Sequence, residues 1–184
     1  MKNIKIEVVK LDDAKRLLEI YTPYVLTTSI TFEYVVPTLA EFKERITTTL
    51  EKYPYLVAKV DDKIVGYAYT SAFKSRAAYQ WAVETSIYVD KDHCGGGVGK
   101  ALYQKLEEIT KAQNILNMNA CITYGNPGSI AFHECFGYRT VAHFTKCGYK
   151  FGKWHDMIWM EKHLGEHPAQ PSSFIPFLQL SDKY

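Results

Sequence analysis

Residues 81–109, WAVETSIYVDKDHCGGGVGKALYQKLEEI, constrain the fold more than any other stretch of the chain. An apolar, β-branched run over residues 83–89 is broken by one carboxylate, Glu84. A polar turn at 90–93 follows, then the glycines Gly95, Gly96, Gly97 and Gly99. Beyond them Val98, Leu102, Leu106 and Ile109 recur at helical spacing. The segment therefore reads strand, glycine loop, helix. Glycine lets a ligand come close to backbone amides. The first turn of a helix adds unpaired N–H groups at the positive end of its dipole. Such a junction suits a phosphate or pyrophosphate. A glycine-rich turn with no ligand is the plainer alternative.

Two familiar phosphate motifs do not fit. A Walker loop requires glycine where Cys94 stands and a hydroxyl where Ala101 stands. A dinucleotide fingerprint requires a third glycine at Lys100 or Leu102. Residues 89–99 instead resemble the acetyl-CoA loop of the GNAT superfamily of N-acetyltransferases, commonly Arg/Gln-x-x-Gly-x-Gly/Ala. Gly97 and Gly99 match its glycines, and Cys94 stands in place of the Arg or Gln. Backbone amides do most of the cradling in that family, so binding is expected to survive the change.

The 184 residues suit one domain with a short tail: residues 1–163 and then 164–184, where Pro168, Pro171 and Pro176 interrupt a stretch without periodicity. Phe174, Ile175, Phe177 and Leu178 are expected to lean on the domain. Hydrophobic residues at 47% and charged ones at 23% are ordinary for a soluble globular protein, and a net charge of +2 points away from a nucleic-acid partner. No apolar run reaches the roughly 20 residues of a membrane span. The N-terminus lacks the apolar core of a signal peptide, so the expected location is the cytoplasm. Cys94, Cys121, Cys135 and Cys147 lack metal-site spacing and are expected to be reduced thiols, mostly core filler apart from Cys94. No metal is expected.

Along the chain, residues 4–8 alternate as a strand. Ala14, Leu17, Leu18 and Tyr21 predict a helix over 12–26, with Pro23 bending or shortening its end. Thr38-x-x-Glu41 is a capping box before a second helix that Tyr53-Pro54 stops. Residues 55–60 and 64–71 read as a hairpin, and 72–80 as a loop rich in cationic and aromatic side chains. After the third helix come a strand at 118–124 and a short helix with Asn126 as N-cap and Pro127 at its first position. Residues 138–146 and 151–160 close the domain as strands. Strands and helices mix throughout, so the class is α/β or α+β with a mixed sheet.

Further segments extend the resemblance over residues 4–163. Asn126-x-x-Ser129-x-x-x-His133-x-x-x-Gly137-Tyr138 resembles the GNAT family's second cofactor segment, where many members carry Tyr at the His133 position. Thr31-Phe32-Glu33, Tyr79-x-Trp81-x-Val83-Glu84, His133-Glu134 and residues 148–156 are similar to the phosphinothricin and methionine-sulfone acetyltransferase branch. The resemblance implies the GNAT fold: a mixed central sheet splayed at the cofactor site, with helices on both faces. It implies acetyl-CoA as donor, its pantetheine pairing with the backbone of Ile87, Tyr88 and Val89. The pyrophosphate would lie on Gly95, Gly96, Gly97, Val98, Gly99 and Lys100, with Asn126 and Ser129 on the facing side. It also implies a homodimer, with residues 148–154 near the neighbouring active site.

Acetyl transfer to an amine needs a deprotonated nucleophile, a held carbonyl and a protonated leaving thiolate. Glu84, a carboxylate in an apolar strand, is the candidate base; a buried structural carboxylate is the alternative. His133 would protonate the thiolate or orient a relay water, or else pack the pocket. Arg76, with Lys74 second, would hold a substrate carboxylate or phosphinate through its planar fork, unless both are solvated loop charges. Phe32 and Tyr79 would wall the substrate side chain. The expected reaction is direct acetylation of a small amino-acid-like amine in a ternary complex. The alternatives are a peptide N-acetyltransferase of the same fold and a non-catalytic acyl-CoA-binding module.

Overall fold

The computed structural model describes residues 3–184. Strands β1 (Ile4–Val8), β2 (Tyr55–Val60), β3 (Lys63–Ala72) and β4 (Ala82–Val89) pair antiparallel in chain order. Strands β5 (Asn117–Thr123), β6 (Arg139–Lys150) and β7 (Lys153–His163) extend the sheet in the order β5-β7-β6. The two halves meet where β4 runs parallel to β5, which makes the seven-stranded sheet mixed. Asp61 and Asp62, both at positive φ, make the two-residue turn between β2 and β3.

Alternation along the strands divides the core into two layers. Leu56, Ala58 and Val60 face α3 (Val98–Ala112), which packs on them with Leu102, Leu106 and Ile109. Tyr55, Val57 and Tyr67 face the opposite way, against Leu17 and Tyr21 of α1 (Ala14–Thr27) and Ile46 of α2 (Leu39–Leu50). Helix α4 (Pro127–Cys135) lies on the α3 side, through Ile130 and Phe132. The capping box before α2 is formed: the Glu41 N–H donates to Thr38 Oγ1 at 3.2 Å, and the Thr38 N–H donates to Glu41 Oε2 at 2.7 Å.

Three expectations are corrected. Pro23 does not shorten α1, which runs four residues past it to Thr27. A proline removes one helical hydrogen bond, and here Thr22 and Thr27 add hydroxyl donors to the carbonyls of Leu18 and Pro23, each at 2.7 Å. None of the four cysteines is core filler: Cys94, Cys135 and Cys147 are exposed, and Cys121 is open to the cavity between β4 and β5 rather than packed in the core. In the tail Phe177 is buried and Phe174 packs on the core, but Leu178 is 69% exposed. Residues 164–184 run back across the sheet's end. There the Ile175 N–H donates to Gln113 O at 3.0 Å and the Phe177 N–H to Lys52 O at 2.9 Å. Among the described residues no helix is long and apolar enough to cross a membrane.

The feature that positions the site is a fork. β4 and β5 pair only through Ala82↔Asn117, Val83↔Met118 and Glu84↔Asn119, then separate, although both strands continue. Side chains replace the ladder at the crotch. Asn119 Nδ2 donates to Val83 O at 3.1 Å, and the Thr85 hydroxyl donates to Asn119 O at 3.2 Å. Thr85 is buried and also lies 2.8 Å from the Tyr103 hydroxyl. Thr85→Val keeps the shape and deletes these bonds, so it is expected to lower stability by about 1–3 kcal/mol. Thr85→Ser should retain most of that, and urea denaturation of the two variants reads the difference.

Candidate active site

The fork opens a cavity of ≈ 250 Å³ between the separated strands. β4 sends alternate side chains to its two faces. Glu84, opposite Ser71 of β3, and Ser86, opposite Tyr69, lie on the α1–α2 face with Tyr88. Thr85 and Ile87 lie on the α3 face. Phe32 reaches the cavity from the link between α1 and α2, Cys121 and Met157 from β5 and β7, and Asn126, Ser129 and His133 from α4.

Burial raises the carboxyl pKa of Glu84, because a desolvated carboxylate loses the stabilisation of water. The positive charge of Lys74 pulls it partly back. Glu84 is thus a stronger base than an ordinary surface carboxylate. The Cys121 thiol beside it is pushed up to about 12, by burial first and then by the charge of Glu84. A thiol held protonated is a poor nucleophile.

His133 is buried, and both its ring nitrogens are engaged. Nδ1 lies 2.7 Å from the carbonyl of Ser129 one helical turn earlier, and Nε2 lies 2.7 Å from the Tyr103 hydroxyl. A carbonyl only accepts, so Nδ1 carries the proton. Burial lowers the pKa of the imidazole, which keeps it neutral at physiological pH. Nε2 is therefore an acceptor and Tyr103 donates to it, which leaves the single Thr85 proton to alternate between Asn119 O and the Tyr103 oxygen. The file Thr85–Tyr103–His133 runs from the crotch of the fork to α4.

Beyond the cavity β4 runs into the glycine loop. Gly97 has φ +84°, in the left-handed region that glycine enters freely, and it caps α3. The first helical bond runs from the Ala101 N–H to Gly97 O, so the amides of Val98, Gly99 and Lys100 precede the ladder and are open to an anion. Gly95, Gly96 and Lys100 are exposed around this turn, while Val98 is buried in the core. Gly99 has a packing reason as well: a Cβ there would stand 3.2 Å from Phe132 of α4. Helix α1 anchors the loop, with Arg16 paired to Asp90 and the Tyr24 hydroxyl donating to Val89 O. That carbonyl of Val89 is thus already bonded within the protein.

The structure brings Phe32, Glu84, Ile87, Tyr88, Asn126, Ser129 and His133 onto one cavity. Val89 and the residues of the glycine loop follow along β4 but do not line it. It does not bring the 72–80 loop there. Lys74, Arg76 and Tyr79 are exposed. Lys74 and Tyr79 line a separate apolar groove with Phe73 and Trp159, where the Lys74 ammonium sits 4.9 Å from the Phe73 ring centroid. Lys74 therefore reaches the site through its field on Glu84 rather than by contact. Sequence reasoning missed Thr85, Tyr103 and Cys121. The available signal for Tyr103 was a hydroxyl on the buried stripe of α3, which needs a partner there. Among the described residues no group of three or more His, Cys, Asp or Glu could hold a metal ion.

A fork in a mixed sheet, a glycine-capped helix and a raised carboxyl between them define an acyl-transfer scaffold, and known proteins share it. The acetyltransferase (GNAT) domain family matches residues 6–159. Phosphinothricin N-acetyltransferase of Streptomyces viridochromogenes is 32% identical over 168 residues, covering 91% of both chains. The L-methionine sulfoximine/L-methionine sulfone acetyltransferase of Salmonella typhimurium is 33% identical, over 85% of this chain and 92% of that one. The crystal structure of a phosphinothricin acetyltransferase from Sinorhizobium meliloti in complex with acetyl-CoA superposes with a TM-score of 0.90, at 35% identity over 95% and 96% of the two chains. The chain belongs to the GNAT acetyltransferases. It is an N-acetyltransferase, and within the family its resemblance runs to the phosphinothricin and methionine-sulfone branch.

One electrostatic consequence is testable in the rate. With Glu84 acting as a base, acetylation rises with pH as its carboxyl ionises, and that limb lies above the ordinary carboxylate range because burial raises the pKa. Lys74→Gln removes the charge that opposes the shift. The acidic limb of kcat/KM should then move to higher pH, and an unmoved limb would show that the Lys74 charge does not act on the base.

Proposed function

We propose that the chain transfers the acetyl group of acetyl-CoA to the amine of a small amino-acid-like substrate. Phosphinothricin, methionine sulfone or methionine sulfoximine are the best candidates, and the role would be detoxification. The observation that carries this reading is the fork. The last paired residue of β4 is Glu84, so the candidate base stands where the strands part and the cavity begins. A space of ≈ 250 Å³ favours a small amine over a folded peptide.

The residues fit acetyl-CoA. Ile87, Tyr88 and Val89 continue along a strand edge that β5 no longer pairs, so backbone amides there can meet the amides of a pantetheine arm. The amides at the start of α3, with Lys100, suit its pyrophosphate. Bound there, the thioester supplies an activated acetyl group. Glu84 takes the proton from the substrate ammonium, directly or through water, and so frees the lone pair. Phe32 walls the amine side. As the C–N bond forms and the C–S bond breaks, Tyr103 gives its hydroxyl proton to the departing thiolate and regains one, through water, from the acylated nitrogen, while neutral His133 behind it orients the phenol. Transfer is direct, in a ternary complex. The thiol on the cavity wall, Cys121, is held protonated, which argues against an acetyl-enzyme.

The proposed assembly is a homodimer in the cytoplasm. Strand β6 is exposed along nearly its whole length and shows Val141, Phe144 and Tyr149 to solvent, with Phe151 and Trp154 beyond them. An exposed apolar face of that kind suits a second copy.

Free-thiol release from acetyl-CoA against a panel of amines tests the reading. The panel holds the three candidates, free glutamate, a polyamine and an N-terminal peptide. Turnover confined to the three candidates is expected. Glu84→Gln should lower kcat by about 10²–10⁴, the usual weight of general base catalysis, with acetyl-CoA affinity kept. Turnover on the peptide alone would discard the small-amine pocket, and an active Glu84→Gln would discard the base.

A further inference from the structure

The β6–β7 hairpin seats on the chain's own substrate loop, and three successive residues make the contact. The ring of Phe32 lies over the bare α-carbon of Gly148. A Cβ at that position would stand 2.6 Å from Phe32 Cζ and 2.7 Å from Cδ2, and nearer still to Cε2. The carbonyl of Tyr149 accepts from the Tyr34 hydroxyl. The ammonium of Lys150, buried to 2% exposure, donates to Thr31 O at 2.7 Å. Elsewhere the same loop is fixed by the Thr123 hydroxyl donating to Ser29 O at 2.6 Å and by the Tyr21 and Thr31 hydroxyls, 2.9 Å apart.

A bulge sets the register that turns Gly148 toward this loop. The pairing of β6 with β7 shifts between Phe144 and Gly148, and Lys146 takes φ +50°. Asp156 holds the bulge with both oxygens, Oδ1 accepting from the Lys146 N–H at 2.8 Å and Oδ2 lying 2.9 Å from His143 Nε2. Beyond the bulge Gly148 pairs with His155, whose ring lies 6.1 Å from that of Phe32.

We propose that Gly148 determines amine specificity by setting how far Phe32 stands into the cavity. The assignment rests on the reading of Phe32 as a wall of the amine pocket. The backbone before Phe32 is tied at Ser29 O and Thr31 O, the Glu33 N–H after it donates to Thr31 Oγ1 at 3.3 Å, and Tyr34 is pinned through its hydroxyl, so a side chain at 148 moves the ring rather than the loop. Gly148 and His155 close the hairpin side, and the open direction is the cavity. A larger residue at 148 therefore shrinks the pocket. Glycine keeps room for a side chain ending in a tetrahedral polar group, such as a phosphinate or sulfone. Gly148 touches no reacting atom and acts as a positioning residue.

The test is a cycle of Gly148→Ala, Phe32→Leu and the double variant, assayed with methionine sulfone and with a short-chain amino acid such as alanine. Gly148→Ala should raise KM for the sulfone by about tenfold or more, the effect of one methylene misplaced in a pocket. KM for the short amine should rise less, with kcat and the KM for acetyl-CoA held. Phe32→Leu in the Gly148→Ala background should restore the sulfone KM, because the smaller side chain can yield. Equal KM changes for both amines, or no rescue in the double variant, would overturn the assignment. Urea denaturation of the four proteins reads the same coupling without substrate: a strong coupling there with unchanged KM makes the contact packing only, and overturns the specificity role. If the unsubstituted chain acetylates neither amine, the reading of the reaction fails, and the assignment built on it falls with it. A failed cycle with that turnover intact removes only the role of Gly148.

Discussion

The structure depends on how two strands are allowed to part. Backbone N–H and C=O groups are obligatory hydrogen-bonding groups, so a sheet that opens in its middle must answer for each group it exposes. Here pairing ends at Glu84 and Asn119, and the amide of Asn119 and the hydroxyl of Thr85 take over at the crotch. Thr85 then hands the network on to Tyr103 and His133. Past that point the strand edges are open to another extended, amide-bearing molecule. The fork is at once a cost in unmade ladder bonds and the source of the cavity.

β4 also sorts the chemistry, because successive side chains leave opposite faces. The candidate base, Glu84, faces the tyrosine-rich layer under α1 and α2, together with Ser86 and Tyr88. The neutral proton file faces α3 and α4. Burial acts on the two sides with opposite signs: it makes the carboxylate more basic and the imidazole less so. One strand thereby keeps a basic carboxylate and a neutral hydrogen-bonded file on opposite sides of the opening, and neither needs a neighbouring counter-ion in contact with it.

Local chemistry made much of this legible in the sequence. The capping box at Thr38, the Asn126-Pro127 start of α4 and the glycine cap of α3 each follow from interactions within a few residues. Glu84 stood out because a carboxylate in an apolar strand is anomalous, and the structure places it at the fork. What was not legible depends on contacts distant in sequence. The 72–80 loop looked like an anion clamp from its charges alone, yet it folds over Trp159 and leaves Arg76 and Tyr79 outside the cavity. Cys121, Cys135 and Cys147 looked like core filler by residue type, but none enters the core: Cys121 opens onto the fork's cavity and the other two are exposed. Tyr103 is a core residue whose hydroxyl matters only because Thr85 and His133 arrive beside it from other elements.

The same distinction separates the proposed catalytic residues from the proposed selectivity residues. Glu84 and the glycine loop lie within one continuous stretch of chain, so strand, turn and helix position them together. The walls of the proposed amine pocket come from segments more than a hundred residues apart, such as the Phe32 link and the β6–β7 hairpin that holds it. Changes in the hairpin can therefore reshape the pocket while the fork and its hydrogen bonds stay as they are. A scaffold built this way keeps one reaction and varies the amine, which fits relatives about one-third identical that carry different substrate names. The strand, turn and helix are the part a short sequence window can show; the proposed amine pocket is written in contacts that only the folded chain assembles.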